Sequence, residues 1–567
     1  MSEQERICDV VIAGSGAAGF TAAITAKLLG LDVVMVEKDS AFGGTTALSG
    51  GIPWIPGNRY AADAGAPDDP DAVRTYLRHE LGNRYDEAMI EAYLTSGPEM
   101  VDRLTEEGAV AFKALAPFPD YHSEIEGATL GGRGLRPLSY DGRRLGKRFR
   151  DLKWPIGDTM LFGRMMIDGE KMGAYLTVTR SLKSFVYVAG RIVRYAADRL
   201  RGFRRGTELS SGNALIARLA EKAIALDIPI LLSTAVTGLL REDQRVVGVE
   251  ASQMGEPIAI RARRGVVFAT GGFSRDMTRR AEHFLPNASG ATGWSLTVDG
   301  VTGDAARLTE AAGGSINGDM FQPATWVPMS RVPQADGGVA LFPHLADRNK
   351  PGMITVNQQA GRFANESISY QDFVPQILAT LDGQQRQEVY LIADHRAFRR
   401  YGLGPVRPHP VPFGKWLKNG YLVSAPTIEA LATKLELDPT RLTATVARFN
   451  ANAARGEDPD FHRGSTAYQR AMGDPAHQPC PSLAPLDQAP FYAVRLVPGD
   501  IGTSVGIRTN PDAQVLDDAG APIEGLYAVG NDMANPTVGV YPGPGVTLGP
   551  AMTFGYRAAR HLSEHSP

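Results

Sequence analysis

The sequence predicts an α/β fold with a Rossmann-type dinucleotide-binding core, and three observations carry that expectation. An apolar run, Asp9-Val10-Val11-Ile12-Ala13, feeds directly into Gly14-Ser15-Gly16-Ala17-Ala18-Gly19 and then into an Ala-rich segment. A second apolar run, Val33-Val34-Met35-Val36, ends in an acid, Glu37, 18 residues after Gly19. At 567 residues the chain also exceeds what one hydrophobic core supports, so two or more lobes with a crevice between them are expected.

Each element has a physical reason. Gly14 permits the tight strand-to-helix turn, Gly16 with Ser15 and Ala18 lets backbone approach a pyrophosphate, and Gly19 lets the helix pack on the sheet. Glu37 is placed to accept both hydroxyls of an adenosine ribose and disfavours a 2′-phosphate. Farther on, Gly43-Gly44-Thr45-Thr46-Ala47-Leu48-Ser49-Gly50-Gly51 offers hydroxyls and bare backbone suited to a diphosphate–ribityl chain and an isoalloxazine edge. This points to a flavin. An apolar strand ending in a glycine turn recurs at 266–273, with Thr270, Gly271 and Gly272, and Gly530-Asn531 follows another apolar run near the C-terminus. No second GxGxxG follows a strand, so the expected electron acceptor is a quinone or another carrier rather than nicotinamide.

Composition excludes several classes. The chain is 43% hydrophobic and 21% charged with a net charge of -3, so nothing draws it globally toward nucleic acid. Only Cys8 and Cys480 are present, which rules out a disulfide framework or cysteine-rich metal site and fits a reducing compartment. The histidines lack paired metal-ligand spacing, HExxH and GxSxG are absent, and no metal is expected. A polar, acidic start and the lack of a long uncharged apolar run predict a cytoplasmic protein without signal peptide or spanning helix.

The four glycine-rich segments together resemble the fumarate reductase/succinate dehydrogenase flavoprotein superfamily over nearly the whole sequence. The resemblance implies an FAD lobe at about 1–325 and 498–567, assembled from both chain ends, with an inserted α+β substrate lobe at 326–497. It also implies cofactor contacts at Lys38, Val236 and Asp304. Members that attach FAD covalently carry a histidine where this chain has Gly44, so a non-covalent cofactor is expected.

The catalytic expectation begins at Pro351–Asn357 followed by Gly361-Arg362-Phe363-Ala364-Asn365-Glu366, the superfamily's strand and turn before an active-site helix. Fumarate reductases place a proton-donating arginine five residues after that asparagine; this chain has Tyr370. A guanidinium stays charged, whereas a phenol is a neutral donor that becomes a base only if its pKa of about 10 is lowered. Tyr370, Tyr541-Pro542-Gly543-Pro544-Gly545 and Asp120-Tyr121 together resemble the 3-ketosteroid Δ1-dehydrogenase family. That resemblance implies that Tyr541 and Gly545 hold a C3 carbonyl, while Tyr370, assisted by Tyr121, removes a C2 proton and hydride leaves C1 for flavin N5. A helix starting near Val546 would aim the amides of Thr547 and Leu548 at the flavin N1/C2=O edge. His122 stands where this loop carries a second aromatic in the family, and Asn365 and Glu366 are expected to lock their turn.

The remaining feature is a helical, basic insertion at 151–206. Leu182, Phe185, Val186, Ala189, Val193, Ala196, Ala197 and Leu200 recur at helical spacing, while Lys183, Arg191, Arg194, Arg199, Arg201, Arg204 and Arg205 face one acid, Asp198. Two readings stand: a basic amphipathic helix, within 171–205, touching an anionic membrane or partner, or, the favoured one, a helix packed on the FAD lobe with its basic face in solvent. The expected function is Δ1-desaturation of a small apolar ketone, a 3-ketosteroid. The alternatives are a flavin ene-reductase, a dehydrogenase of another bulky cyclic ketone, and a non-catalytic electron-relay subunit.

Overall fold

The computed structural model describes residues 4–565 apart from 158–159, 162, 168, 177, 179–180, 285–292 and 385, so part of the basic insertion lies outside the described residues. The first apolar run forms strand Gln4–Ala13, which lies between Glu256–Phe268 and Val33–Val36 in an eight-stranded sheet. These strands run parallel, Pro522–Ala528 adds a parallel neighbour beyond Glu256–Phe268, and Ile230–Leu231 adds one beyond Val33–Val36. Parallel strands covered on both faces read as unbroken apolar runs, and Val33–Val36 is buried at every position. An antiparallel pair, Thr234–Glu242 and Arg245–Gln253, extends the sheet along the start of Glu256–Phe268. The sheet therefore draws strands from both ends of the chain.

Helix Ala17–Leu28 is rich in small residues because another helix lies directly on it. That partner is Leu548–Glu564, and a Cβ at Gly555 would stand 2.6 Å from the Ala18 carbonyl oxygen. Glycine at this crossing brings the C-terminal segment against the N-terminal loop.

A second sheet is antiparallel, in the order Val339–Pro343, Ala324–Pro333, Phe491–Thr503, Val389–Ala393, Met353–Val356, with Val423–Ala425 on Phe491–Thr503. Its strands alternate between two cores, as a period of two requires. Val389, Leu391 and Ala393 pack with Phe373, Ile377 and Leu381 of helix Tyr370–Leu381, whereas Tyr390 and Ile392 pack with Leu431, Leu435 and Phe449 on the other face. The borders expected at 325/326 and 497/498 both fall inside strands of this sheet.

The insertion corrects a sequence expectation. Helix Leu182–Leu200 turns its apolar stripe outward: Leu182 is 79% and Leu200 91% exposed, and Phe185, Val186 and Val193 are exposed with them. Val188, Arg191 and Asp198 face inward instead. Polar partners hold this inverted face: Arg191 pairs with Glu208 and donates to the Met166 carbonyl at 2.9 Å, and Arg194 pairs with Asp141 at 3.0 Å. Asp198 accepts from the Thr207 amide and hydroxyl at 2.9 and 2.8 Å, and Arg205 is buried over Phe149. Arg191 and Arg194 thus have acidic partners outside the helix, which local spacing does not reveal, while Lys183, Arg199, Arg201 and Arg204 stay exposed.

Candidate active site

At the C-terminal edge of the parallel strands a cavity of about 710 Å³ opens between the two sheets. Gly14 leaves strand Gln4–Ala13 at φ +109°, and a Cβ there would stand 2.1 Å from the Ala269 carbonyl oxygen, so glycine is required. Ser15, Gly16 and Ala18 follow in the cavity wall, with Gly16 as the N-cap of helix Ala17–Leu28. Gly19 stands behind the wall, its Cα packed on the Gly14 carbonyl. Glu37 accepts from the Ser15 amide at 3.1 Å, the Ser15 hydroxyl and the Asp39 amide at 2.8 Å. Burial pushes its carboxyl above the ordinary range against those bonds.

Lys38 lines the same end, bonded to Thr302 at 2.6 Å and to Asp304 at 2.8 Å. Gly44, Thr45, Thr46, Ser49, Gly50 and Gly51 form one flank, where the Thr46 hydroxyl accepts from the Ala17 amide at 3.2 Å. Val236, Thr270, Gly271, Gly530, Asn531, Thr547 and Leu548 form the other. Gly272 lies outside the wall and donates its amide to Asp532 at 2.8 Å. Asp532, which ends the glycine-rich segment near the C-terminus but was assigned no role from sequence, is buried and holds the Thr270 turn; burial raises its carboxyl to about 6 despite amides from Gly272 and Thr270.

Four phenols meet farther along the cavity. Tyr121 and Tyr541 stack with centroids 5.5 Å apart and 17° between planes, and Tyr370 stands edge-on to both at 5.6 and 5.3 Å. The Tyr121 hydroxyl donates to that of Tyr370 at 3.3 Å. Tyr468 completes the cluster 4.7 Å from the Tyr121 ring. Sequence reading missed Tyr468: it lies in helix Ala467–Met472, in a stretch without a motif, and nothing local distinguishes it from other tyrosines.

Separate elements hold each ring. Tyr370 opens helix Tyr370–Leu381 behind the cap Ser369, and the neighbouring Gln371 side chain pins that helix by accepting from the Trp326 amide and donating to the Ala324 and Gly539 carbonyls. Asn365 and Glu366 lock the preceding turn: Asn365 accepts the Ser367 amide, and buried Glu366 pairs with Arg362 and Arg463. Tyr121 follows Asp120, which takes hydrogen bonds from Trp54 at 2.9 Å and Arg133 at 2.6 Å. The Pro542 carbonyl accepts from the Tyr76 hydroxyl and the Tyr121 amide at 2.7 and 2.9 Å, tying the Tyr541 segment to the Tyr121 loop.

Burial drives the titration of these groups upward. Tyr121 and Tyr370 are held well above the usual phenol range by burial and by the neighbouring phenols, and Tyr541 is raised by burial against hydrogen bonds from Tyr370, Thr547 and the Gly545 amide. A phenol acts as a base at neutral pH only if its pKa is lowered, and burial here acts the other way, so Tyr121, Tyr370 and Tyr541 stand as neutral hydroxyls in the cavity.

A family profile described as FAD binding domain matches residues 9–548. The 3-oxosteroid 1-dehydrogenase of Mycobacterium tuberculosis is 37% identical over 98% of this chain and 98% of its own length. The solved structure of 3-ketosteroid delta1-dehydrogenase from Sterolibacterium denitrificans, in complex with 1,4-androstadiene-3,17-dione, superposes with a TM-score of 0.90 at 34% identity, covering 99% of this chain and 100% of that one. The chain belongs to the 3-ketosteroid Δ1-dehydrogenase family of FAD-binding flavoproteins. A further relative, the 4-oxocyclohex-2-ene-1-carboxylate 5-dehydrogenase of Sinomonas cyclohexanicum, is 39% identical over 98% of this chain and 94% of its own length.

FAD, the cofactor of this dehydrogenase family, fits the residues present. Gly16 and Ala17 line the cavity at a helix N-terminus, with the Ala17 amide held by the Thr46 hydroxyl, and the Glu37 side chain lies in the wall beside them. Helix Leu548–Glu564 presents a second N-terminus, Thr547-Leu548, to the opposite end. The insertion contributes Pro155, Ile156, Met160, Met166 and Ile167 to the wall beyond the phenols, which the sequence did not announce as cavity residues. Among the described residues no helix is long and apolar enough to cross a membrane.

Proposed function

We propose that this flavoprotein introduces a C1=C2 double bond into the A-ring of 3-ketosteroids. The observation that carries the reading is the convergence of Tyr121, Tyr370 and Tyr541 beside Gly545 in one apolar-walled cavity, with a phenol where fumarate reductases use arginine. Tyr541 and the Gly545 amide donate to the ketone oxygen, acidifying C2 because the charge moving onto oxygen meets fixed donors. Tyr370 receives the C2 proton at its hydroxyl oxygen as its own proton leaves along the touching phenols and is released to solvent water. FAD, when bound, supplies the acceptor for the hydride leaving C1, and its electrons then pass to a quinone or another carrier. The cofactor lobe comprises 1–325 and 498–567, and 326–497 supplies the substrate lobe with Tyr370.

A steroid suits the wall better than a small ring carboxylate. Leu115, Phe118, Ile156, Met160, Leu345 and Met472 are apolar, and the two cations of the wall are engaged, Lys38 with Asp304 and Arg136 with Glu170 at 3.3 Å. Incubating purified protein with androst-4-ene-3,17-dione and an artificial electron acceptor should give the Δ1 product and bleach the flavin. Absence of both refutes the steroid reading. In Tyr370→Phe, flavin reduction should fall by about 10²–10⁴-fold with FAD retained.

The outward apolar stripe of Leu182–Leu200 favours one partner. Flanked by exposed Lys183, Arg199, Arg201 and Arg204, it suits the surface of an anionic membrane, where apolar side chains enter the headgroup boundary and cations meet lipid phosphates. Flotation with anionic vesicles is its test.

A further inference from the structure

His122 holds a position that the proposed chemistry leaves unused. Its Nδ1 lies 2.6 Å from a carboxylate oxygen of Glu80, on helix Pro70–Leu81, and its Nε2 lies 2.8 Å from one of Asp372, in the first turn of helix Tyr370–Leu381. A neutral imidazole carries one N–H and would turn a lone pair toward one of these acids; only the doubly protonated ring donates to both. The Glu80 side chain is 3% exposed and that of His122 21%, so the pair is shielded from water, while Asp372 is 40% exposed.

The clamp joins the elements that present two of the phenols, because His122 follows Tyr121 and Asp372 lies two residues after Tyr370. We infer that His122 is a positioning residue for the proposed reaction: an imidazolium that locks the Tyr121 loop to the Tyr370 helix and offsets carboxylate charge beside the phenols. The inference rests on the dehydrogenase reading for the role it gives those phenols.

The other polar groups around the clamp are consistent with it. Ser369 donates to Asp372 from the helix cap. Tyr76, one turn before Glu80, is held neutral by burial and by the Glu80 and Asp120 charges. The Arg348 guanidinium donates to the Glu366 and Ile368 carbonyls and lies 4.7 Å from the Phe373 ring centroid, and its charge favours the ionised forms of Asp372 and Tyr121. The Asp372 charge opposes ionisation of Tyr468, whose ring lies tilted against that of Tyr121. Burial disfavours the imidazolium, but the bonds and charges of Asp372 and Glu80 outweigh it and raise its pKa well above the ordinary histidine value.

Charge and structure can be separated by substitution. His122→Phe leaves two carboxylates uncompensated, so phenolate formation should move to higher pH; Asp372→Asn removes one carboxylate, so it should move to lower pH. The double variant restores the wild-type net charge without the clamp. Single-turnover flavin reduction with 3-ketosteroid, followed against pH in the FAD-loaded enzyme, should show the acid limb shifted up by about one unit in His122→Phe, with about a tenfold loss at neutral pH. The limb should shift down in Asp372→Asn and return in the double variant, with steroid and FAD affinity unchanged. A purely structural role gives no such reversal. An unmoved limb in His122→Phe, or a shift of the same sign in both single variants, overturns the inference; if His122→Phe does not load FAD, the sign in Asp372→Asn decides alone. Titrating the near-ultraviolet phenolate band against the Tyr370→Phe variant needs no substrate, so the clamp is tested even if the steroid reading fails.

Discussion

At the scale of single residues, the site depends on side chains whose chemistry is ordinary and whose placement is not. Tyr121, Tyr370 and Tyr541 carried local signals, an unusual tyrosine after an asparagine turn and a Tyr-Pro-Gly-Pro-Gly run, and the chain brings all three into contact. Tyr468 carried none, because a lone tyrosine gains meaning only from what the fold places beside it. Gly545 shows what a glycine contributes here. Its φ is +100° and a Cβ would stand 1.9 Å from the Ile52 carbonyl oxygen, so Gly545→Ala must displace its amide from the place where the proposed mechanism has it meet the ketone oxygen. Displacement of about 1 Å costs about 10²-fold in rate. The expected outcome in stopped-flow flavin reduction is a loss of that order with FAD still bound, and wild-type turnover would remove Gly545 from the clamp.

At the scale of elements, the turn before helix Tyr370–Leu381 is held by charge. Glu366 is buried between Arg362 and Arg463 and accepts the Thr355 amide at 3.0 Å. Burial alone would raise its carboxyl, but the two guanidinium groups and that amide hold it near 2. A depressed carboxylate contributes stability above its unfolded value, here 4.5, and loses it as pH falls toward about 2. Glu366→Gln should cost about 3–5 kcal/mol near neutral pH, because buried cations lose their partner. Thermal unfolding followed from pH 6 to about 3 should show the gap to wild type narrowing with acid; a constant gap would contradict the account. Helix Leu182–Leu200 teaches the opposite lesson, since its period was legible but not which stripe faces inward. Arg191 and Arg194 turn inward because Glu208 and Asp141 wait there, and those acids are remote in sequence.

At the scale of the molecule, two surfaces belong to different physics, a cavity walled by both sheets and an exposed apolar stripe with basic flanks. The stripe should bring the protein to the top of a sucrose gradient with phosphatidylglycerol vesicles and not with phosphatidylcholine alone. Replacing Phe185 and Val193 with aspartate should abolish flotation without changing the melting temperature, as both are exposed. Loss of stability in that variant, or flotation surviving it, would contradict a lipid-facing stripe. What the sequence by itself determined is local: the glycine loop, the strand ending in Glu37 and the phenol motifs, because backbone sterics and short-range hydrogen bonds act between near neighbours. Only the tertiary structure decided that Tyr468 joins the phenols, that His122 lies between two acids and that the insertion helix turns its apolar face outward. Those arrangements depend on groups tens to hundreds of residues apart, whose meeting is set by packing and charge pairing across the chain.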